Sequence, residues 1–209
     1  MAGGAASCAT TPAGGYTVST TVGAFVDVCA RTTSTKVLMG ADDAVATATL
    51  PFPLSFWGAR PFMHAVQIHS NGLISFDATR TSPTTGILPD TSSPDGVVAP
   101  WWIDLRTSTT HGVCHEALGT VGVNRRWVVQ WRDVTYPSDP TNTMDFEVTF
   151  FENHTIEFSY RALAQPPEGR VPTVGLESPT GVAAAAVCNP FMERCAVAPM
   201  QTVRFTPAM

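Results

Sequence analysis

Residues 144–161 read MDFEVTFFENHTIEFSYR, and this stretch decides the fold. Met144, Phe146, Val148 and Phe150 alternate with Asp145, Glu147 and Thr149; Ile156, Phe158 and Tyr160 then alternate with Glu157, Ser159 and Arg161. Successive side chains of a strand point to opposite faces, so a period of two marks strands with one buried face. Asn153-His154 between the runs is turn-prone. A loop of those two residues alone sets Phe150 opposite Glu157, core against solvent. A three-residue loop, Asn153 to Thr155, sets Phe150 opposite Phe158, Val148 opposite Tyr160 and Glu147 opposite Arg161. A one-residue slip exchanges every face, so the three-residue loop is expected. Glu147 and Arg161 then form an exposed cross-strand ion pair.

The same pattern extends outward. Arg126 to Val134 offers Trp127, Val129 and Trp131 on one face and Gln130 and Arg132 on the other, with Pro137 and Pro140 ending the strand. The three strands should form an antiparallel meander. Upstream, Phe62 to His69 and Leu73 to Phe76 flank Ser70-Asn71-Gly72, and Asn-Gly is the strongest short-range hairpin signal. Val97 to Leu105 is more continuously apolar and so more buried. Tyr16 to Cys29, Val45 to Leu50, Val171 to Glu177, Val182 to Val187 and Thr202 to Phe205 supply further strands. Ten to twelve short strands with frequent turns predict an all-β antiparallel sandwich of jelly-roll type. Residues 1–209 are expected to form one such domain, with a flexible segment at about 1–15. Thr79 to Gly96 is the longest stretch without a pattern, and long loops in compact domains are often functional.

Hydrophobic residues make up 44% of the 209, enough for a sizeable core, while charged residues make up only 14%. A net charge of −5 leaves no basic patch for a phosphate backbone, so nucleic acid is not an expected partner. No run approaches the ~18 apolar residues of a membrane span. The five cysteines form no Cys-x-x-Cys pair, which favours structural disulfides and an oxidising, secreted or cell-surface setting. Cys188 and Cys195 bracket a short loop that a disulfide would close. Cys8 with Cys29 would tie the N-terminal segment to the first strand and leave Cys114 over, although spacing alone does not fix the pairing.

Five ordered blocks carry a family resemblance: VQIHSNGLISF at 66–76, LPDTSSPDGVVAPWWIDL at 88–105, RRWVVQWRDV at 125–134, FEVTFFENHTIEFSYRAL at 146–163 and TVGLESPTG at 173–181. The chain resembles nidogen-type (NIDO-like) extracellular β-domains and related β-sandwich modules of large secreted bacterial proteins. The resemblance implies an adhesion, matrix or surface module without catalytic residues.

Candidate chemistry is sparse. His111 and His115, with Cys114 and Glu116, form the group HGVCHE, whose donors suit zinc or copper. On a strand, however, the histidines share one face and Cys114 takes the other. Glu147 and Glu157 lie on one face of neighbouring strands, a spacing open to a glycosidase pair or to a solvated sheet face. No cofactor is expected, with Ca²⁺ the one candidate, at Asp42-Asp43 or in an oxygen-rich loop from Asp139 to Asp145. Phe56-Trp57 and Trp101-Trp102 are adjacent aromatic pairs. One of each leaves the core unless a second layer or loop covers that face, which makes Trp57, Trp101 and Trp102 candidate ligand contacts. The expected function is a non-enzymatic extracellular structural or adhesion module that binds a protein or glycan surface or self-assembles. A carbohydrate-binding module is the first alternative and a secreted hydrolase the second.

Overall fold

The hairpin of residues 144–161 lies at the centre of a seven-stranded antiparallel sheet in the computed structural model, which describes residues 15–23, 25–58, 65–78, 82–191 and 195–208. Thirteen strands are formed among these residues. They are β1 (Tyr16–Val22), β2 (Thr35–Val37), β3 (Val45–Thr49), β4 (Ala65–His69), β5 (Leu73–Ser75), β6 (Val97–Trp102), β7 (Val113–Leu118), β8 (Arg126–Tyr136), β9 (Asp139–Phe151), β10 (Ile156–Ala162), β11 (Thr173–Glu177), β12 (Ala184–Cys188) and β13 (Gln201–Pro207). One sheet has the order β1-β13-β10-β9-β8-β7-β2 and the other β12-β11-β6-β5-β4-β3. The chain is an antiparallel β-sandwich, and the predicted β8-β9-β10 meander is present.

The hairpin faces are as expected, but its register differs by two residues. Phe150 pairs with Ile156, Val148 with Phe158 and Phe146 with Tyr160. The loop has three residues, Glu152 to His154, and His154 turns the chain at φ 70°. A two-residue shift keeps every face, so alternation alone could not separate the registers. Glu147 consequently faces Ser159, and a bulge between Tyr160 and Ala162 sends Arg161 elsewhere. Pro140 does not end a strand. β8 and β9 continue to a tip where Tyr136 faces Asp139, and Pro140 lies just inside β9. The strand expected to run to Cys29 stops at Val22, and residues 28–30 form a single 3-10 turn.

Trp127, Val129, Trp131, Phe146, Val148, Phe150, Phe158 and Phe205 from one sheet meet Val66, Ile68, Ile74, Val98, Val174 and Leu176 from the other in one core. Aromatic polar tips tie the sheets together. Trp131 Nε1 donates to the His69 carbonyl at 2.9 Å, and the Tyr160 hydroxyl donates to the Pro100 carbonyl at 2.7 Å.

Part of each outer face is covered as well. Val28 and Cys29 pack on Cys114 and Val128 outside the seven-stranded sheet, while Leu88 packs on Leu73, Val97, Ala99 and Trp102 outside the six-stranded one.

Candidate functional site

The segment before β2 lies on the outer face of β7–β10 and is held there by polar side chains. Glu147 Oε1 accepts the Val26 N–H at 3.0 Å, and Gln130 Oε1 accepts the Cys29 N–H at 2.8 Å. Asp27 caps the 3-10 turn through the Ala30 N–H and receives Arg132 at 3.0 Å and Arg161 at 2.7 Å. Arg161 also pairs with Asp145 and stacks on Phe25, 4.7 Å from the ring centroid. Burial alone would raise the Asp27 carboxyl, but the bond and charge of Arg161, then Gln130 and Arg132, hold it below the ordinary value. Burial raises Asp145 and raises Glu147 well above the ordinary carboxyl range. The solvated face expected around Glu147 is therefore a buried one. Glu157 is engaged separately, by Arg204 across β13.

Cys29 is bonded to Cys114, with their Cα atoms 5.3 Å apart. This corrects the expected Cys8–Cys29 pairing: Cys29 lies over β7, outside β1, where Cys114 points outward to meet it. Cys8 lies outside the described residues. The Cys188–Cys195 disulfide is formed as expected. With Cys114 oxidised, HGVCHE loses its thiolate. His111 Nδ1 instead meets Asp133 at 2.8 Å, His115 packs edge-on against Trp127, and Glu116 receives Arg31 and Thr33. Burial lowers the His115 imidazole.

The tryptophans part company. Trp101 points into the core, only 3% exposed, yet lines a cavity of about 320 Å³ with Leu163, Gln165, Arg170 and the Cys195 segment. Trp102, 4% exposed, points out of the opposite face beneath the long loop, its Nε1 donating to the Pro83 carbonyl at 2.9 Å. Trp57 belongs to no strand. It sits at φ 55° in a turn after Phe56, half-buried edge-on against Tyr16.

The Ser-Asn-Gly turn is a structural hub that period-two reading could not identify. Asn71 is buried; its Nδ2 donates to Asp43 at 2.8 Å and to the Ser82 carbonyl at 3.2 Å, and its Oδ1 accepts the Leu105 N–H at 2.9 Å. Gly72 sits at φ 74°, where a Cβ would lie 2.1 Å from the Trp101 carbonyl oxygen.

Two acidic groups emerge. Carboxylate oxygens of Asp42, Asp43 and Asp104 lie within 4.8 Å of one another, so Asp104 joins the expected Asp42-Asp43 pair. Arg106 meets Asp42 at 2.8 Å, Asn71 meets Asp43, and Arg170 approaches Asp104 at 3.6 Å. The second group surrounds Glu177 beneath the long loop and was missed. Its signal was parity: Glu177 shares the outward face of β11 with Thr173, which pairs with Trp102. The Asp139 to Asp145 stretch is not an oxygen-rich loop. It opens β9, with Asp139 binding Thr141 and Asn142 at the tip and Asp145 buried at the other end.

Such a sandwich, clamped by two disulfides and partly covered on both outer faces, has the build of an extracellular β-module. A family model described as NIDO related matches residues 15–207, and the chain belongs to that family. No match was found among curated proteins or solved structures. Among the described residues, no helix is long and apolar enough to cross a membrane.

Proposed function

We propose that this domain is a non-enzymatic extracellular adhesion or structural module, acting by binding a surface partner or by self-assembly. The single observation that supports this best is membership of the NIDO-related family along nearly the whole described chain. Two disulfides suit an oxidising exterior, since reduced cytosolic thiols would not persist as such bonds. Self-assembly has a route at β1, which among the described residues pairs only with β13, so that its other edge could take an added strand. Light scattering on the oxidised chain across a wide concentration range, with a binding screen on matrix proteins, tests this reading. A strict monomer that binds no surface would overturn it.

A second reading, carbohydrate binding, is favoured by the cavity beside Trp101. An indole wall with Gln165 and Arg170 at hand offers both an apolar face and hydrogen-bond donors. Trp-fluorescence titration against a glycan panel separates it from the first.

A further inference from the structure

Glu177 is 1% exposed and lies under the loop that carries Asp90 and Asp95. Its Oε1 accepts the Asp90 N–H at 2.7 Å. Its Oε2 is buried and has no hydrogen-bond partner among the described residues, and the same holds for Oδ1 of Asp95. Buried carboxylate oxygens are ordinarily hydrogen-bonded or neutralised, because removing them from water costs too much otherwise. The surroundings supply more negative charge. Asp95, Asp90 and Asp77 all act on Glu177 through their charge. Glu177, Asp90, Ser92, Ser93, Thr85 and Trp102 are among the residues that line a cavity of about 70 Å³, and no basic side chain lines it. The Asp42, Asp43 and Asp104 group differs in this respect, since arginines and Asn71 already attend it.

The cavity's size limits what it holds. A water molecule's share of liquid volume is about 30 Å³, so this space takes an ion with one or two waters and is too small for a sugar ring. Carboxylates, serine and threonine hydroxyls and backbone carbonyls are the oxygen ligands that calcium accepts in flexible geometry. Gly181 packs tightly on the loop: at φ 66°, a Cβ there would lie 2.2 Å from the Asp90 carbonyl oxygen.

We propose that this cavity binds a divalent cation of the calcium class, with Glu177 Oε2 as its buried carboxylate ligand and oxygens of Asp90, Ser92 and Ser93, which line it, completing the shell, while Asp95 adds negative charge beside it. The ion draws the loop against β11 and neutralises the acidic cluster. This does not depend on the adhesion reading.

The test uses the full oxidised chain with Ca²⁺ alone, and Tb³⁺ as a luminescent probe. Trp102 lines the cavity, so Tb³⁺ bound there is sensitised by tryptophan excitation. Ca²⁺ at millimolar concentration should raise Tm in the wild type and displace the Tb³⁺ signal. Glu177→Gln should weaken Tb³⁺ and Ca²⁺ binding by at least about tenfold, and Asp43→Asn should leave both unchanged. Asp90→Asn serves as the second ligand variant if Glu177→Gln fails to fold. The proposal is overturned if neither ion has an effect, if the effect survives both cavity variants, or if Asp43→Asn removes it instead.

Discussion

Cys29 and Cys114, separated by 85 residues, are bonded across the outer face of the seven-stranded sheet. The bond fastens a segment that also caps Glu147 and Gln130 through its own backbone N–H groups. Covalent and polar anchors therefore fall on the same strip of chain. Opening the disulfide leaves two buried side chains dependent on hydrogen bonds alone.

Replacing both cysteines by serine should accordingly destabilise the domain strongly. Chain-entropy reasoning for a loop of that length gives about 4–5 kcal/mol, against about 2 kcal/mol for the seven-residue Cys188–Cys195 separation. Denaturant midpoints of the two double-serine variants check the ranking. Equal losses would show that the long loop is held by its polar contacts instead.

Asn71 joins β4–β5 to the chain beyond β6 through a buried amide. Asn71→Ala should cost about 2–4 kcal/mol, because the Leu105 N–H and the Ser82 carbonyl lose their partner in a site closed to water. Asn71→Asp should also destabilise, since a carboxylate replaces the donor facing Asp43. Thermal unfolding of both variants measures this, and a loss under 1 kcal/mol would contradict it.

Gly72 gives a sharper steric test. A Cβ at this position would meet the Trp101 carbonyl at 2.1 Å, and the φ of 74° disfavours any L side chain. Gly72→Ala should destabilise more than Gly169→Ala, where φ is also positive but no atom lies within 4 Å. The difference in unfolding free energy isolates the contact from the backbone cost.

Glu177 should leave a signature in the pH dependence of stability. Burial, opposed by the Asp90 N–H but reinforced by Asp95, Asp90 and Asp77, pushes its carboxyl up to about 7. The folded state then holds a proton that the unfolded chain, titrating near 4.5, has released. Stability contributed by this group should fall as pH rises from about 4.5 to about 7 and level off above, a total of up to about 3 kcal/mol. Unfolding in chelator across this range, wild type against Glu177→Gln, checks it. The variant should gain on the wild type as pH rises, and a constant difference would refute the assignment.

The β-sandwich was legible because alternation is a local property. Trp127, Val129 and Trp131, or Phe146, Val148 and Phe150, declare their shared face within a few residues, and the NIDO-related blocks follow the same strands. The Cys188–Cys195 pairing was equally local. Three features were not. The hairpin register depends on a two-residue shift that preserves faces. The partner of Cys29 depends on where a patternless segment comes to rest. Burial of Glu147, Gln130 and Glu177 depends on chain from elsewhere covering outward positions that alternation marks as polar. Sequence by itself determined which side of each alternating strand, such as β8, β9 and β10, turns to the core, because that choice is written in the period of two. Tertiary structure alone decided what lies over the other side, because contacts between residues tens of positions apart leave no periodic trace. The acidic cavity beneath the long loop is a product of that second decision.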